Sequence, residues 1–347
     1  MNKSKKVKVS EKRDFAAVKY MNAVLDFLPE RADKIIKMRF GVLDGYSTTL
    51  EGIGKKYNIT RERVRQIIRE AIAKIKKKGD KNILLIEKEI KFAIEKSNGI
   101  IKEEKLLNNL SQNVKTQGAI KFFLKVINGV EFRVGGLEIE KSFYLKDFNF
   151  EQWNKCKDIA KNVLMERKSA ISSEEVIKEI SSIDSTIKKD VILDYLDVCK
   201  EIKINNFGKW GMIDWSDINP KGAREKAYLI MKEYGKPLHF TKVAEFIDKH
   251  GLSKKKSHPQ TVHNELIKDK RFVLVGRGVY ALSEWGYKRG TVKDVLDDIF
   301  KQSGKPLSKD EILNKVLASR KVKKSTIMIN LNNFFVRVDR NRYTVKK

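Results

Sequence analysis

The fold is decided by the stretch Thr48-Thr-Leu-Glu-Gly-Ile-Gly-Lys-Lys-Tyr-Asn-Ile-Thr-Arg-Glu-Arg-Val-Arg-Gln-Ile-Ile-Arg69, whose pattern predicts two short helices joined by a tight turn. Thr48 is expected to be the N-cap of the first helix, with Glu51 completing a capping box. Asn58 tolerates the left-handed backbone geometry of a turn, and Thr60 can cap the second helix. The stretch therefore predicts a helix-turn-helix.

The second helix of this pair has two faces. Apolar residues recur at helical spacing on one side, namely Val64, Ile68, Ala71 and Ile75. Polar residues project from the other side, namely Glu62, Arg65, Gln66 and Arg69, with Arg61 at the helix start. In the major groove arginine pairs with guanine, glutamine with adenine, and glutamate with the cytosine amino group. A helix-turn-helix presents the first turns of its second helix to the bases, so the pattern indicates reading of double-stranded DNA.

Four short motifs in this region resemble region 4 of bacterial sigma-70-type factors, the part that reads the promoter minus-35 element. They are Arg39-Phe-Gly, Leu43-Asp-Gly, Thr49-Leu-Glu-Gly-Ile-Gly and Thr60-Arg-Glu-Arg-Val-Arg-Gln-Ile, within residues 15 to 78. The resemblance implies base contacts by Arg61, Glu62 and Gln66, and phosphate contacts by Thr60, Arg63, Arg65 and Arg69. Two positions depart from the family pattern: Gly52 replaces an acid, and Asn58 replaces the glycine of the turn. The alternative is a solvated helix surface, which would not require the surrounding motif.

The composition points to a polyanionic partner. The chain has 347 residues, a net charge of +29 and an isoelectric point of about 9.8, so nucleic acid is the expected partner. No apolar run approaches the roughly 20 residues that a membrane span needs, and the charged N-terminus is followed by no signal sequence. The two cysteines, Cys156 and Cys199, support neither a disulfide framework nor a zinc finger. We expect a cytoplasmic, nucleoid-associated protein with no cofactor, no bound metal, no membrane contact and no small-molecule substrate.

The fold class expected from the sequence is mainly α, with a sigma region 4-like helix-turn-helix followed by about four tandem winged-helix units. Each unit is predicted as three helices and a β-hairpin wing, because alternating apolar runs with Gly, Asn or Asp at the bend follow each helical segment. The expected domains are a basic disordered tail at 1–13, the helix-turn-helix at 14–80, and winged helices at 84–147, 152–218, 222–287 and 291–347.

The third unit carries a second resemblance. Tyr234-Gly-Lys-Pro-Leu-His-Phe and the segment from Thr261 through Gly276-Arg-Gly-Val-Tyr-Ala-Leu282 resemble the HARE-HTH winged-helix family, which includes the delta subunit of bacterial RNA polymerase. The match covers about residues 222 to 287, and the fourth unit is similar but weaker. Members of this family occur in transcription, chromatin and restriction proteins, so the resemblance indicates the kinds of protein that contain such a domain but does not indicate an activity.

The winged helices differ in charge. The third and fourth units offer possible additional DNA contacts at or near the predicted recognition helices and wings: Lys254, Lys255, Lys256, His258, Gln260, His263, Asn264 and Arg277, then Lys321, Lys323, Lys324, Asn330, Arg340 and Arg342. The alternative for these residues is a solvated basic face. The second unit instead carries Asp190, Asp194 and Asp197 on its corresponding helix, which favours a protein contact or a spacer role.

No catalytic constellation emerges from the sequence. All four histidines lie in the third unit without acidic or thiolate partners at a recurring spacing, so no metal site is expected. Glu201-Ile-Lys203 after Asp197 has the order of a restriction-type nuclease core, but the residues fall in a predicted wing rather than in a larger mixed sheet. Gly276-Arg-Gly278 is a wing turn, because no Walker lysine or dinucleotide fingerprint surrounds it.

The sequence is therefore interpreted as a non-enzymatic, sequence-specific transcription factor that reads a promoter minus-35-like element. Nothing in it resembles the sigma domain that melts the minus-10 region, so initiation as a lone sigma factor is not expected. Two alternatives remain open at this point. One is an accessory, delta-like subunit that binds the RNA polymerase core, and the other is a nucleoid-associated protein that binds DNA without sequence preference.

Overall fold

A computed structural model describes residues 16–287, 290–320 and 322–345 of the chain. Small antiparallel sheets accompany a mainly helical architecture, as the sequence predicts. The expected tail at 1–13 and Lys321 lie outside the described residues. In the described ranges no helix is both long enough and apolar enough to span a bilayer.

Sixteen α-helices are found in the described ranges. The first seven are α1 Ala17–Leu25, α2 Glu30–Phe40, α3 Leu50–Tyr57, α4 Arg61–Lys78, α5 Lys81–Glu95, α6 Glu103–Leu110 and α7 Val114–Val126. The next six are α8 Phe150–Arg167, α9 Ser173–Ile183, α10 Lys189–Asp197, α11 Gly222–Tyr234, α12 Phe240–Lys249 and α13 Pro259–Lys268. The last three are α14 Val292–Ser303, α15 Lys309–Ser319 and α16 Lys324–Phe334.

Four three-stranded antiparallel sheets follow one plan. The strands are β1 Ile100–Lys102, β2 Val130–Arg133, β3 Ser142–Leu145, β4 Ile171–Ser172, β5 Ile202–Ile204 and β6 Lys209–Met212, then β7 Leu238–His239, β8 Phe272–Gly276, β9 Val279–Leu282, β10 Leu307–Ser308, β11 Phe335–Arg337 and β12 Arg342–Val345. The sheet orders are β1-β3-β2, β4-β6-β5, β7-β9-β8 and β10-β12-β11. After α4 the chain therefore repeats one order four times: helix, short strand, two helices and a hairpin. The short strand before the second helix is an addition to the predicted pattern.

The contacts divide the chain into two compact units. The first contains the residues up to 168 together with 173–203, and the second contains 169–172 and 204–347.

In the first unit, the helix-turn-helix and the first winged helix share one hydrophobic core. The shared core takes Ala17, Met21 and Ile36 from the N-terminal helices and Ala71 and Ile75 from α4, together with residues of α5, α6 and α7. Only Gly79 and Asp80 separate α4 from α5 in the described chain, and the Asp80 side chain already caps α5. The two predicted domains are therefore packed into a single body.

Helix α7 lies in the centre of the shared core. The ring of Phe122 is fully buried and packs edge-on against Phe40 of α2, with ring centroids 5.6 Å apart. Gly118 allows the close approach of the two helices, because a Cβ atom there would lie 2.2 Å from the carbonyl oxygen of Phe40. Eight of the thirteen residues of α7 are buried, so the helix that a winged-helix protein offers to DNA is used here for packing.

Helix α10, the corresponding helix of the second winged helix, contacts the first winged helix through charge. The carboxylate of Asp197 accepts hydrogen bonds from Lys102 Nζ at 2.8 Å and Lys105 Nζ at 3.0 Å. Asp194 accepts a hydrogen bond from the Asn98 side chain at 2.8 Å. The acidic helix thus packs against the first winged helix of its own chain, and its predicted role as a protein contact or a spacer stays a prediction.

This charged contact predicts a pH-dependent stability. Burial opposes the ionisation of Asp197, but the hydrogen bonds and charges of Lys102 and Lys105 outweigh it and hold the pKa of the carboxyl below its ordinary value. A depressed folded-state pKa gives stability that is present above the unfolded pKa and is lost as the pH falls through the folded value. We expect Asp197→Asn to lower the free energy of unfolding by about 1–2 kcal/mol at pH 7.

The measurement is urea unfolding of both proteins from pH 7 to pH 3. The difference between them should be constant down to about pH 5 and should shrink below about pH 4, as first the unfolded and then the folded state of the wild type becomes protonated. The matched control is Asp44→Asn, an exposed carboxylate in the loop before α3. A difference as large at pH 3 as at pH 7 would show that the ion pairs are not its source.

In the second unit, the third and fourth winged helices each have a core of their own. The third is built around Ile230, Val243 and Leu266, and the fourth around Leu296, Ile312 and Leu331. The buried side chain of Arg320, which follows α15, donates to the carbonyl oxygens of Leu274 in β8, at 2.7 Å, and of Gly290. Arg320 therefore joins the fourth winged helix to the sheet of the third.

Candidate nucleic-acid interface

The turn between α3 and α4 has the geometry of a helix-turn-helix. Asn58 ends α3 in the left-handed conformation, with φ 51° and ψ 49°. The hydroxyl of Thr60 accepts a hydrogen bond from the backbone N–H of Arg63 at 3.1 Å and so caps α4, as predicted. Gly54 leaves room for the turn, because a Cβ atom there would lie 2.6 Å from the carbonyl oxygen of Ile59.

The predicted cap of α3 is wrong by one residue. The N-cap is Thr49, whose hydroxyl accepts a hydrogen bond from the backbone N–H of Gly52, and not Thr48. The backbone of Thr48 is held by α2 instead: its N–H donates to the carbonyl oxygen of Met38, and its carbonyl oxygen accepts from the Arg39 guanidinium at 3.1 Å. Two adjacent threonines looked alike in the sequence, and this tertiary contact distinguishes them.

The apolar side of helix α4 is packed against the rest of the domain, so its polar face points to solvent. Val64 packs with Ile35 and Ile53 of α2 and α3, while Ala71 and Ile75 enter the shared core. Because both ends of the apolar stripe are buried, the first turns of α4 are held in a defined orientation. A fixed reading helix binds with less loss of conformational freedom than a mobile one.

The polar face of α4 brings the predicted base-reading and phosphate-contacting residues together. Thr60, Arg61, Glu62, Arg63, Arg65 and Arg69 are exposed, and Gln66 is partly buried. Arg65 donates two hydrogen bonds to the carboxylate of Glu62, at 2.8 and 2.6 Å, and Arg63 donates to the side-chain oxygen of Gln66 at 3.3 Å. Arg61 makes no hydrogen bond or ion pair with any residue that the structure describes.

The pairing of Glu62 has an electrostatic consequence. The hydrogen bond from Arg65 lowers the pKa of the Glu62 carboxyl, so the side chain is ionised and can act only as an acceptor at neutral pH. Ionised glutamate suits the cytosine amino group as a partner. Arg61 has no partner among the described residues to leave before it meets a base or phosphate, whereas Glu62 must share or release Arg65.

The third winged helix places its predicted DNA-contacting residues on exposed surface. Lys254, Lys255 and Lys256 lie in the loop before α13, and His258 and Gln260 lie at its start. The loop is tied down where it meets the helix, because the backbone N–H of Ser257 donates to the carboxylate of Asp248 at 2.9 Å. Arg277 is exposed at the turn between β8 and β9. His263 stacks on Phe240, with ring centroids 4.3 Å apart, and Asn264 bonds to Gln260.

The fourth winged helix has a similar but smaller basic surface. Lys323 and Lys324 are exposed at the N-terminus of α16, and Arg340 and Arg342 are exposed at the hairpin between β11 and β12. Asn330 bonds instead to the carbonyl oxygen of Thr326 in its own helix. Of the described residues that the sequence predicted as DNA contacts in this unit, these two lysines and two arginines are exposed.

The residues considered for catalysis have structural partners. Glu201 pairs with Lys161 at 3.0 Å, and Lys203 donates to Glu140 and to the carbonyl oxygen of Cys199. His250 bonds to the Tyr234 hydroxyl at 3.1 Å, and His239 caps α12. Among the described residues, no group of three or more His, Cys, Asp or Glu side chains could hold a metal ion.

Comparison with known families matches two parts of the chain. Residues 24–77 match the family described as sigma-70, region 4. Residues 223–285 match the family HARE-HTH, whose description names ASXL and a restriction endonuclease HTH domain. Both resemblances drawn from the sequence are confirmed. Both matched classes are DNA-binding domains and neither is an enzymatic family.

Similar curated proteins include bacterial sigma factors, and the likeness is confined to one domain. RNA polymerase sigma factor SigA of Lactococcus lactis subsp. cremoris is 45% identical over 56 residues, which are 16% of this chain and 15% of that protein. RNA polymerase sigma factor RpoD of Helicobacter pylori is 56% identical over 57 residues, 16% of this chain and 8% of that protein. SigA of Clostridium acetobutylicum is 45% identical over 53 residues, 15% of this chain and 14% of that protein. The chain therefore spans less than one sixth of the length of each of these relatives.

Proposed function

We propose that this protein is a sequence-specific, double-stranded DNA-binding transcription factor that reads a promoter minus-35-like element with α4. In this proposal Arg61, Glu62 and Gln66 contact base edges in the major groove. Thr60, Arg63, Arg65 and Arg69 contact the flanking phosphates. Each good bidentate contact to a base would contribute about 1–3 kcal/mol of discrimination against the wrong base.

One observation carries the proposal: in the first compact unit, the side chains of α4 predicted to contact DNA lie on its polar face, while α7 is mostly buried and α10 is engaged with another part of the chain. The polar side chains at the start of α4 reach solvent. Eight of the thirteen residues of α7 are buried, which leaves a ridge with Lys121 and Lys125 exposed, and α10 is engaged with Lys102 and Lys105. Of the three candidate recognition helices in the described part of this unit, α4 is thus the one that presents arginine, glutamate and glutamine together, the residue types that read base edges.

The basic surfaces of the third and fourth winged helices would lengthen the footprint. Lys254, Lys255, Lys256 and Arg277 of the third, with Lys323, Lys324, Arg340 and Arg342 of the fourth, would contact phosphates rather than bases. His258 and Gln260 lie at the N-terminal turn of α13, where hydrogen bonds to DNA are also within reach. Such contacts supply affinity that does not depend on sequence and falls as salt rises.

The relatives support a second candidate, an accessory subunit of RNA polymerase. The curated proteins that match the region 4 part of this chain are named RNA polymerase sigma factors, and the polymerase core is therefore a candidate partner of this chain. In this version the winged helices contact another protein, and DNA is bound through electrostatic attraction alone. The two candidates differ in one measurable property, which is preference for a DNA sequence.

The test is selection of bound sites from random duplex DNA at near-physiological salt. We expect the wild type to enrich a motif resembling a minus-35 element, and Arg61→Ala/Gln66→Ala to lose that enrichment. The matched control is Lys88→Ala on α5, which removes the same single positive charge outside the helix-turn-helix. Salt must be kept near physiological strength, because phosphate contacts alone bind tightly at low ionic strength.

Two results would contradict base reading by α4. The first is a motif that the double variant enriches as well as the wild type does. The second is no motif in either protein, and stable co-purification with core polymerase would then favour the accessory subunit.

A further inference from the structure

A groove lies between the loop before α3 and helix α7, in the first compact unit. Its volume is about 550 Å³, within the range of roughly 300–1,000 Å³ that is usual for sites binding small organic groups. The walls include Tyr46 from the loop, Val114, Lys121 and Lys125 from α7, Phe132 from the wing, and Glu103 at the start of α6. We refer to this feature as the aromatic groove.

Two apolar side chains on the walls of the aromatic groove are largely exposed to solvent and are not buried in the core. Tyr46 is 67% exposed and Val114 is 58% exposed. Single exposed apolar residues are common, but two that share a concave site indicate a ligand with an apolar surface. The rings of Phe40, Phe132 and Phe143 add to the apolar lining.

The loop that carries Tyr46 is held in place. Gly41 has φ +75°, and a Cβ atom there would lie 2.8 Å from the carbonyl carbon of Tyr46. The N–H of Gly45 donates to the carbonyl oxygen of Gly41 at 3.1 Å, and the Arg39 guanidinium holds the carbonyl oxygen of Thr48. A ring on such a loop is available for stacking with little loss of conformational freedom.

The charges around the aromatic groove select an anion that also has hydrogen-bond donors. Lys121 and Lys125 lie one turn apart on the exposed ridge of α7, and Arg39 is the third cation of the lining. Glu103 is the one carboxylate among the described lining residues. Lysines attract a phosphate group. A carboxylate beside them would repel a phosphate that carries no other group, but it would accept a hydrogen bond from the amino group of a base.

We infer that the aromatic groove binds an unpaired nucleotide of single-stranded DNA. The base would stack on Tyr46, its amino group would donate to Glu103, and the adjoining phosphates would lie against Lys121 and Lys125. Proteins hold single strands by this combination of aromatic stacking and a basic track. The base pairs of a duplex are stacked inside the helix, so a paired base cannot enter the groove. This site is separate from the reading face of α4, and Arg61→Ala/Gln66→Ala is expected to leave it intact.

The test is photocrosslinking of the full chain to a short single-stranded oligonucleotide that carries a halogenated cytosine, which keeps the amino group, followed by identification of the crosslinked peptide. We expect crosslinks at Tyr46 or Phe132. Tyr46→Ala removes no charge and should weaken binding about 5- to 100-fold at a salt concentration that suppresses phosphate-only contacts. Tyr46→Phe keeps the ring and should bind like the wild type.

The charge contribution is tested separately with Lys121→Ala/Lys125→Ala. Its matched control, Lys81→Ala/Lys88→Ala on α5, removes the same two charges outside the aromatic groove. We expect the first pair to abolish the crosslink at Tyr46 and the second to preserve it. The thermal unfolding midpoint of each variant shows whether it is folded.

Three outcomes would overturn the inference. Crosslinks spread over the basic surface without Tyr46 or Phe132 would mean that the groove is not the binding site. Competition by a duplex equal to competition by the single strand would remove the requirement for an unpaired base. Competition by a nucleoside monophosphate as strong as that by the oligonucleotide would assign the groove to a free nucleotide instead of a strand.

Discussion

Replacing Phe122 with alanine is expected to lower the free energy of unfolding of the first winged helix and the helix-turn-helix together by about 3–5 kcal/mol. The ring is fully buried and contacts Phe40 of α2 and Phe123 of α7, with centroid distances of 5.6 and 5.2 Å. Its removal leaves a cavity at the boundary between two predicted domains. Because the two domains share one core, the backbone amides of α4 should lose protection against hydrogen exchange to the same extent as those of α7.

Hydrogen exchange of backbone amides is the measurement, because it reports opening helix by helix. In Phe122→Ala the opening free energies of α4 and α7 should fall by similar amounts, while α13 in the second compact unit should be unchanged. The matched control is Phe92→Ala on α5, where the ring is 53% exposed and the loss should be below about 1 kcal/mol. A loss confined to α7 would mean that the helix-turn-helix is stable without its neighbour.

Replacing Lys254, Lys255 and Lys256 together with alanine is expected to reduce the salt dependence of DNA binding. Each phosphate contact that is lost lowers the slope of log K against log salt by about 0.9, so three contacts correspond to about 2.7. Affinity for duplex DNA at about 0.1 M salt should fall by roughly 10²- to 10³-fold. The preferred sequence should not change, because these exposed lysines lie in a loop and would touch phosphates only.

The slope is measured by titrating a labelled duplex at four or more salt concentrations. The matched control removes three exposed lysines at α5, as Lys81→Ala/Lys88→Ala/Lys96→Ala, and loses the same charge. If the control changes the slope as much as the loop variant does, the lysines act through net charge. An unchanged slope in the loop variant would mean that the third winged helix does not contact DNA.

The sequence predicted the helix-turn-helix because its signals are local. Thr60 caps α4, and Asn58 adopts the left-handed conformation of the turn, both within a few residues of the side chains that decide them. The four hairpins were also predictable, because alternation along a strand and glycine or polar residues at the bend are short-range patterns. The core of the third winged helix follows from the same kind of pattern in Val262, Leu266 and Phe272.

The tertiary use of each helix could not be predicted in the same way. The pattern that places a helix before the hairpin of the first winged unit gives no information about what α7 packs against. A signal was present, because Gly118 and the adjacent rings Phe122 and Phe123 make α7 apolar around most of its circumference, which is typical of a buried helix. The aromatic groove was missed because Tyr46 and Lys121 are distant in sequence, and each alone is an ordinary exposed residue.

The buried Arg320 also bears on whether copies of the protein associate. Strand β8 lies at an edge of its sheet, and an edge strand with open carbonyl groups can pair with a strand from another molecule. The guanidinium of Arg320 donates a hydrogen bond to the carbonyl oxygen of Leu274 within that strand. The fourth winged helix thereby covers part of an edge of the third that would otherwise be open to intermolecular β-sheet pairing.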